Sequence, residues 1–148
     1  MADTAAHWVD HVLPPVPIRQ WVLSFPREIR YILARDSKLL TRAHDLFIQE
    51  LFRYYNRQLL FLREGVEPAD WRYRKRLPWK AETHGGAVTA IQRFGSSLNC
   101  HPHLHTLSLD GVYVKVPETG KLYFVEVPPP EPEDLQQVLS RTVHRVEK

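Results

Sequence analysis

The chain has 148 residues, 43% of them hydrophobic and 25% charged, the balance of one soluble globular domain with a core of its own. A net charge of +3 leans basic, which suits a polyanionic partner without requiring one. No apolar run approaches the roughly 18 residues of a membrane span, the N-terminus lacks the basic start and apolar stretch of a secretory signal, and the one cysteine, Cys100, excludes an internal disulfide or a Cys-rich zinc module. A cytoplasmic setting is the expectation.

Residues 1–17 read as a short helix followed by a linker, because Pro14, Pro15 and Pro17 hold the backbone extended and remove ladder donors. Ile18 to Phe25 alternates as a strand does, with Trp21, Leu23 and Phe25 on its mostly apolar side. Pro26 stops that strand and suits a first helical turn. A short helix is expected from Arg27 to Asp36, with Ile29, Ile32 and Leu33 on one side. Ser37 is a plausible N-cap for a longer helix reaching about Arg63. Leu40, Ala43, Phe47, Leu51, Tyr54, Tyr55, Leu59 and Leu62 recur there at helical spacing and predict a core-facing stripe, with Gly65 as the stop.

Residues 64–85 read as irregular. Within them Trp71, Arg72, Tyr73, Arg74, Lys75, Arg76, Trp79 and Lys80 interleave basic and aromatic groups. Such a segment can neutralise phosphates with its cations and stack its rings on bases; it can equally be a solvated loop with its rings tucked inward.

From Gly86 the period becomes two. Strands are expected at Ala87–Phe94, His103–Ser108, Val112–Val116 and Leu122–Val127, separated by turns at residues 95–99, at Leu109-Asp110-Gly111 and at residues 118–121. Pro132, Glu133 and Asp134 then open a last helix carrying Leu135, Val138, Leu139, Thr142, Val143 and Val146. The order predicts one α+β domain over residues 1–148, an antiparallel sheet with helices packed mainly on one face. Its core elements span 18–127 and its final helix 131–148.

His101-Pro102-His103-Leu104-His105 opens an apolar, strand-like run from Leu104 to Val114. Side chains at i and i+2 share a strand face, so His103 and His105 stand side by side and can grip one ion. Alternate polar residues on a strand are more often a solvent face than a metal site; three alternate histidines in a predicted central strand make the two readings about even. The outer pair are roughly 13 Å apart at Cα, which makes His101 a helper candidate at best. Gln92 on the preceding strand is a candidate third ligand. Two imidazoles completed by an amide, carboxylate or water suit Mn2+ or Zn2+, and Mg2+ less comfortably. Cys100 would point to the opposite face, and His7, His11, His44, His84 and His144 are scattered.

Trp21-Val22-Leu23-Ser24-Phe25-Pro26, then Gln92 to Asn99, then His103-Leu104-His105, then Leu109-Asp110-Gly111-Val112-Tyr113, together resemble the two-tyrosine HUH transposases of rolling-circle insertion sequences. The resemblance covers nearly the whole chain and rests on the ordered series rather than on His-x-His alone. It implies an HUH endonuclease-like fold whose paired histidines, here His103 and His105, hold a divalent metal, Mg2+ or Mn2+ with Zn2+ as the alternative. It implies single-stranded or hairpin DNA at element ends as the partner, with no membrane. A tyrosine hydroxyl attacks the scissile phosphate, leaving a 5′-phosphotyrosyl link, and a second tyrosine allows strand transfer.

Two departures set the expectation for this chain. The family's N-terminal Cys-rich segment and its downstream tyrosine helix are both missing from the sequence; after His105 only Tyr113 and Tyr123 remain, on predicted strands. No catalytic residue is therefore identified, and the nucleophilic tyrosine is expected beyond Lys148. The reading is an incomplete transposase core that is not catalytically complete alone. The alternative is a non-enzymatic metal- or DNA-binding remnant. A water-using metal hydrolase would need a general base that no residue here suggests. Tyr54 and Tyr55 read as core, and Arg19, Arg27 and Arg93 as surface charges.

Overall fold

The computed structural model describes residues 13–64, 82–95, 99–115 and 119–146. The expected N-terminal helix and the basic–aromatic stretch 71–80 lie outside the described residues, as do Gly65, the middle of the 95–99 turn and the side chain of Leu62.

Strand β1 (Ile18–Ser24) buries Trp21 and Leu23 and leaves Val22 in solvent, the one-sided burial that its alternation predicts. Helices α1 (Arg27–Arg35) and α2 (Ser37–Glu64) follow. Asp36 joins them and serves both. Its N–H donates to the Ile32 carbonyl at 2.8 Å and closes α1. Its Oδ1 accepts from the Lys38 and Leu39 N–H groups at 2.9 and 3.0 Å and opens α2. The cap is thus Asp36, one residue before the expected Ser37, because its carboxylate reaches two orphan donors. The α2 stripe is as expected: Leu40, Ala43, Phe47, Leu51, Tyr54, Tyr55 and Leu59 are all buried. On α1 only Leu33 is buried, and Ile29 and Ile32 remain exposed.

Among the described residues six strands form two three-stranded antiparallel sheets, where the sequence reading expected one. In the first, β4 (Cys100–Leu109) lies between β1 and β3 (Ala87–Phe94). In the second, β5 (Gly111–Lys115) lies between β2 (Glu82–His84) and β6 (Leu122–Glu126). β2 falls inside the stretch read as irregular; three residues of mixed polarity are too short to show a period.

Only Asp110 separates β4 from β5, and only Gly85-Gly86 separates β2 from β3. The sheets therefore meet end to end at a seam. Asp110 N–H donates to the Pro17 carbonyl at 2.8 Å, Val127 N–H donates to the Asp110 carbonyl at 3.1 Å, and Leu109 N–H donates to the Gly86 carbonyl at 3.0 Å. The Asp110 carboxylate takes both ends of the Arg19 guanidinium, with Nε at 2.6 Å from Oδ1 and Nη2 against Oδ2. Arg19 is thus a seam residue rather than an ordinary surface charge, and Asp110 is more than a turn residue.

Helices cover one face of the first sheet. Trp21, Leu23 and Leu104 pack there with the α2 stripe. Trp21 Nε1–H donates to the Tyr55 hydroxyl at 3.2 Å, and that hydroxyl shares a 2.8 Å bond with Ser108. Helix α3 (Pro132–Val146) lies on α2 and buries Val138 and Thr142, while Leu135, Leu139 and Val143 stay exposed.

Candidate functional site

The other face of the first sheet carries the histidines. Along β4 the even positions Pro102, Leu104, Thr106 and Ser108 are buried towards the helices, and the odd positions His101, His103, His105 and Leu107 turn the opposite way. The β1–β4 register sets Ser24 opposite His103, Val22 opposite His105 and Gln20 opposite Leu107. The β3–β4 register sets Gln92 opposite His103, Ala90 opposite His105 and Val88 opposite Leu107. These residues share the open face, and the His strand is central, as the sequence predicts.

The three imidazoles form a row. Ring centroids are 5.1 Å apart for His101 and His103 and 4.9 Å for His103 and His105. His103 Nδ1 lies 2.6 Å from the His101 carbonyl oxygen. A carbonyl only accepts, so Nδ1 carries a proton, and in the neutral ring Nε2 keeps its lone pair free. His105 Nδ1 lies 3.0 Å from the Gln20 amide nitrogen Nε2, which donates, so this ring nitrogen accepts. Burial, then the charges of Arg30 and His103, hold the His101 pKa below its ordinary value, which favours the neutral ring.

Part of a ligand geometry is present: the rings are adjacent, and on His103 Nδ1 is tied to a carbonyl, which turns Nε2 outward. Among the described residues no group of three or more His, Cys, Asp or Glu side chains is placed to hold a metal. Further donors would have to be of another kind, such as the Gln92 amide across from His103. The Cys100 thiol points to the Arg30 carbonyl on α1, at 3.8 Å, away from the row. His44 bonds to Asp45 and Thr89, and His84 pairs with Glu82, so both have structural partners.

The described tyrosines lie elsewhere. Tyr54 and Tyr55 are buried on the covered side, and burial raises both phenol pKa values. Tyr113 packs edge-on against Phe124 in the second sheet, which also holds Tyr123 on β6. Tyr31 is exposed on α1. None of the open-face positions of the first sheet is a tyrosine. A surface hollow of about 510 Å³ runs along the first turns of α2 between Ser37 and Gln49 and includes no histidine.

Residues 86–148 match the family model described as a putative transposase. The match agrees with the two-tyrosine transposase resemblance read from the motifs. The matched segment contains β3 to α3, and so the His row, Gln92 and the seam residues Asp110 and Gly111. It leaves out β1, whose Gln20 and Ser24 flank the row. DNA is the partner that a transposase domain implies. No curated protein and no solved structure matches the chain. No helix among the described residues is long and apolar enough to cross a membrane.

Sequence reasoning missed Gln20 and Ser24. Both are on the polar side of β1, which was legible, but their approach to the histidines follows from the β1–β4 pairing across some eighty residues of chain, which no local pattern encodes.

Proposed function

We propose that His103 and His105 hold a divalent metal, and that the chain is the HUH core of a rolling-circle transposase acting on single-stranded or hairpin DNA. One observation carries this reading: adjacent imidazoles on an uncovered sheet face, one of them with Nδ1 tied to a carbonyl and Nε2 free. When bound, the metal supplies Lewis-acid polarisation of a phosphate oxygen. The protein's part is to present neutral ligands in a fixed orientation, with Gln92 as the third. The open face leaves room for a phosphate to approach, because no helix of the described residues packs over the row. The cations Arg72, Arg74, Lys75, Arg76 and Lys80, with Trp71, Tyr73 and Trp79, would hold the strand by charge and stacking.

Among the described residues no tyrosine shares that face, and we expect binding of metal and DNA without self-sufficient nicking. Calorimetric titration with Mn2+ should show binding to the wild type and its loss in the His103→Ala/His105→Ala double variant; equal binding by both would remove the metal reading. Gln92→Ala should weaken Mn2+ binding several-fold and leave the thermal midpoint unchanged. A hairpin-ended oligonucleotide incubated with the protein and Mn2+ should remain intact. A covalent 5′-linked adduct would overturn the incomplete-site reading. A second reading, a metal- or DNA-binding module without a role in transposition, is favoured by the lack of a tyrosine beside the row among the described residues. Equal affinity for hairpin-ended and arbitrary single strands would support that alternative.

A further inference from the structure

We infer that Gln20 is a positioning residue that sets which ring nitrogen His105 presents to a metal. The inference rests on the metal reading of the His103–His105 pair. β1 and β4 are neighbours, and Gln20 stands diagonal to His105, opposite Leu107, on the open face. As placed, its NH2 faces the ring, with Nε2 3.0 Å from Nδ1, so Nδ1 accepts; metal binding would require the amide to turn over.

A neutral imidazole has one N–H, and an amide offers oxygen on one side and NH2 on the other. Two arrangements satisfy this contact. With NH2 facing Nδ1, the ring nitrogen accepts, the proton sits on Nε2, and the ring has no free lone pair for an ion. With Oε1 facing Nδ1, the ring nitrogen donates and the Nε2 lone pair is free. Turning the amide over about its last bond exchanges the two without moving the backbone.

His103 has no such choice. Its Nδ1 faces a carbonyl oxygen at 2.6 Å, which fixes the ligating tautomer. The pair is therefore asymmetric: one imidazole is set by backbone, the other by a glutamine side chain on a different strand. Metal binding selects the arrangement with Gln20 Oε1 towards His105, and the amide in turn raises the basicity of the ligand it orients. Gln20 lies outside the segment that matches the transposase model.

The test uses the whole chain with Zn2+ as a diamagnetic probe, above the pH range where histidine titrates. Gln20→Leu removes both donor and acceptor; Gln20→Glu can only accept, and so enforces Nδ1–H on His105. Gln20 is exposed, so both variants should fold. We expect Gln20→Leu to weaken Zn2+ binding about 10- to 100-fold and Gln20→Glu to restore it. Nitrogen-15 spectra of the metal-free proteins should show His105 as the Nδ1–H tautomer in Gln20→Glu and as a mixture in Gln20→Leu, with His103 unchanged throughout. An unchanged His105 tautomer in Gln20→Leu would overturn the inference, as would unchanged Zn2+ affinity. The His103→Ala/His105→Ala control separates the two claims. If it binds Zn2+ like wild type, the metal reading fails, while the metal-free spectra still decide whether Gln20 sets the His105 tautomer.

Discussion

Burying a tyrosine next to another makes each phenol reluctant to ionise. Tyr54 and Tyr55 are at most 1% exposed, with rings 5.3 Å apart. Burial raises the pKa of Tyr54 most, the Asp134 carboxylate adds to it, and the neighbouring Tyr55 contributes next. Burial raises Tyr55 as well, against the hydrogen bonds from Ser108 and Trp21. The consequence for stability follows from linkage. A folded-state pKa above the unfolded value gives stability that is complete below about pH 10 and is lost as pH rises towards the folded value, because the unfolded chain releases its proton first. Thermal midpoints measured from neutral to strongly alkaline pH should therefore fall more steeply for wild type than for Tyr54→Phe. Parallel curves would show that Tyr54 does not contribute to the alkaline loss. At this scale the residue types were legible: a helical stripe marked both tyrosines as core, and that is where they are.

The elements are held to one another by polar clamps as well as by apolar stripes. Glu50, 2% exposed, lies under α3 and accepts from Arg145 at 2.8 Å, and it also pairs with Arg53. Arg145 reaches Gln49 at 2.7 Å. At the other end of α3, Asp134 accepts from Gln58 and from the Glu131 N–H, at 3.0 and 3.2 Å. The second bond closes the helix's own first turn. Val138 and Thr142 fill the contact between the clamps. Arg145→Ala leaves a buried carboxylate with one partner fewer, and should cost about 1–3 kcal/mol in urea unfolding. Hydrogen exchange in α3 should rise more than in β4; an equal rise in both would show that α3 does not open separately. The apolar positions of α3 were readable as a period, but not all of them are in the core. Leu135, Leu139 and Val143 show that period alone does not say how much of a helix face a neighbour covers.

The whole molecule turns on one seam. Between two sheets, the Arg19–Asp110 pair and the backbone bonds around Asp110 replace the ladder that β4 and β5 interrupt. Arg19→Met and Asp110→Asn, singly and together, should give a coupling energy of about 0.5–3 kcal/mol in a double-mutant cycle; additive effects would mean that the pair adds nothing beyond its parts. Gly111 is needed there for space: a Cβ would stand 2.2 Å from the Val125 carbonyl oxygen and 2.9 Å from Glu126 Cα, both backbone atoms. Gly111→Ala should therefore lower stability by about 1–3 kcal/mol, and unchanged urea unfolding would refute the crowding. By itself, the sequence determined the kind of domain, most of its strands and helices, and the His103–His105 pair on one strand face. Those are local properties: period two, period 3.6, proline stops and glycine turns. Tertiary structure alone decided that the strands form two sheets, that Asp110 and Arg19 join them, that β4's histidines face away from the described helices, and that Gln20 meets His105. Each of these depends on strand pairing between distant segments, and pairing partners leave no mark in local spacing. The histidine strand could be read as a site; which atoms of it are free to bind could not.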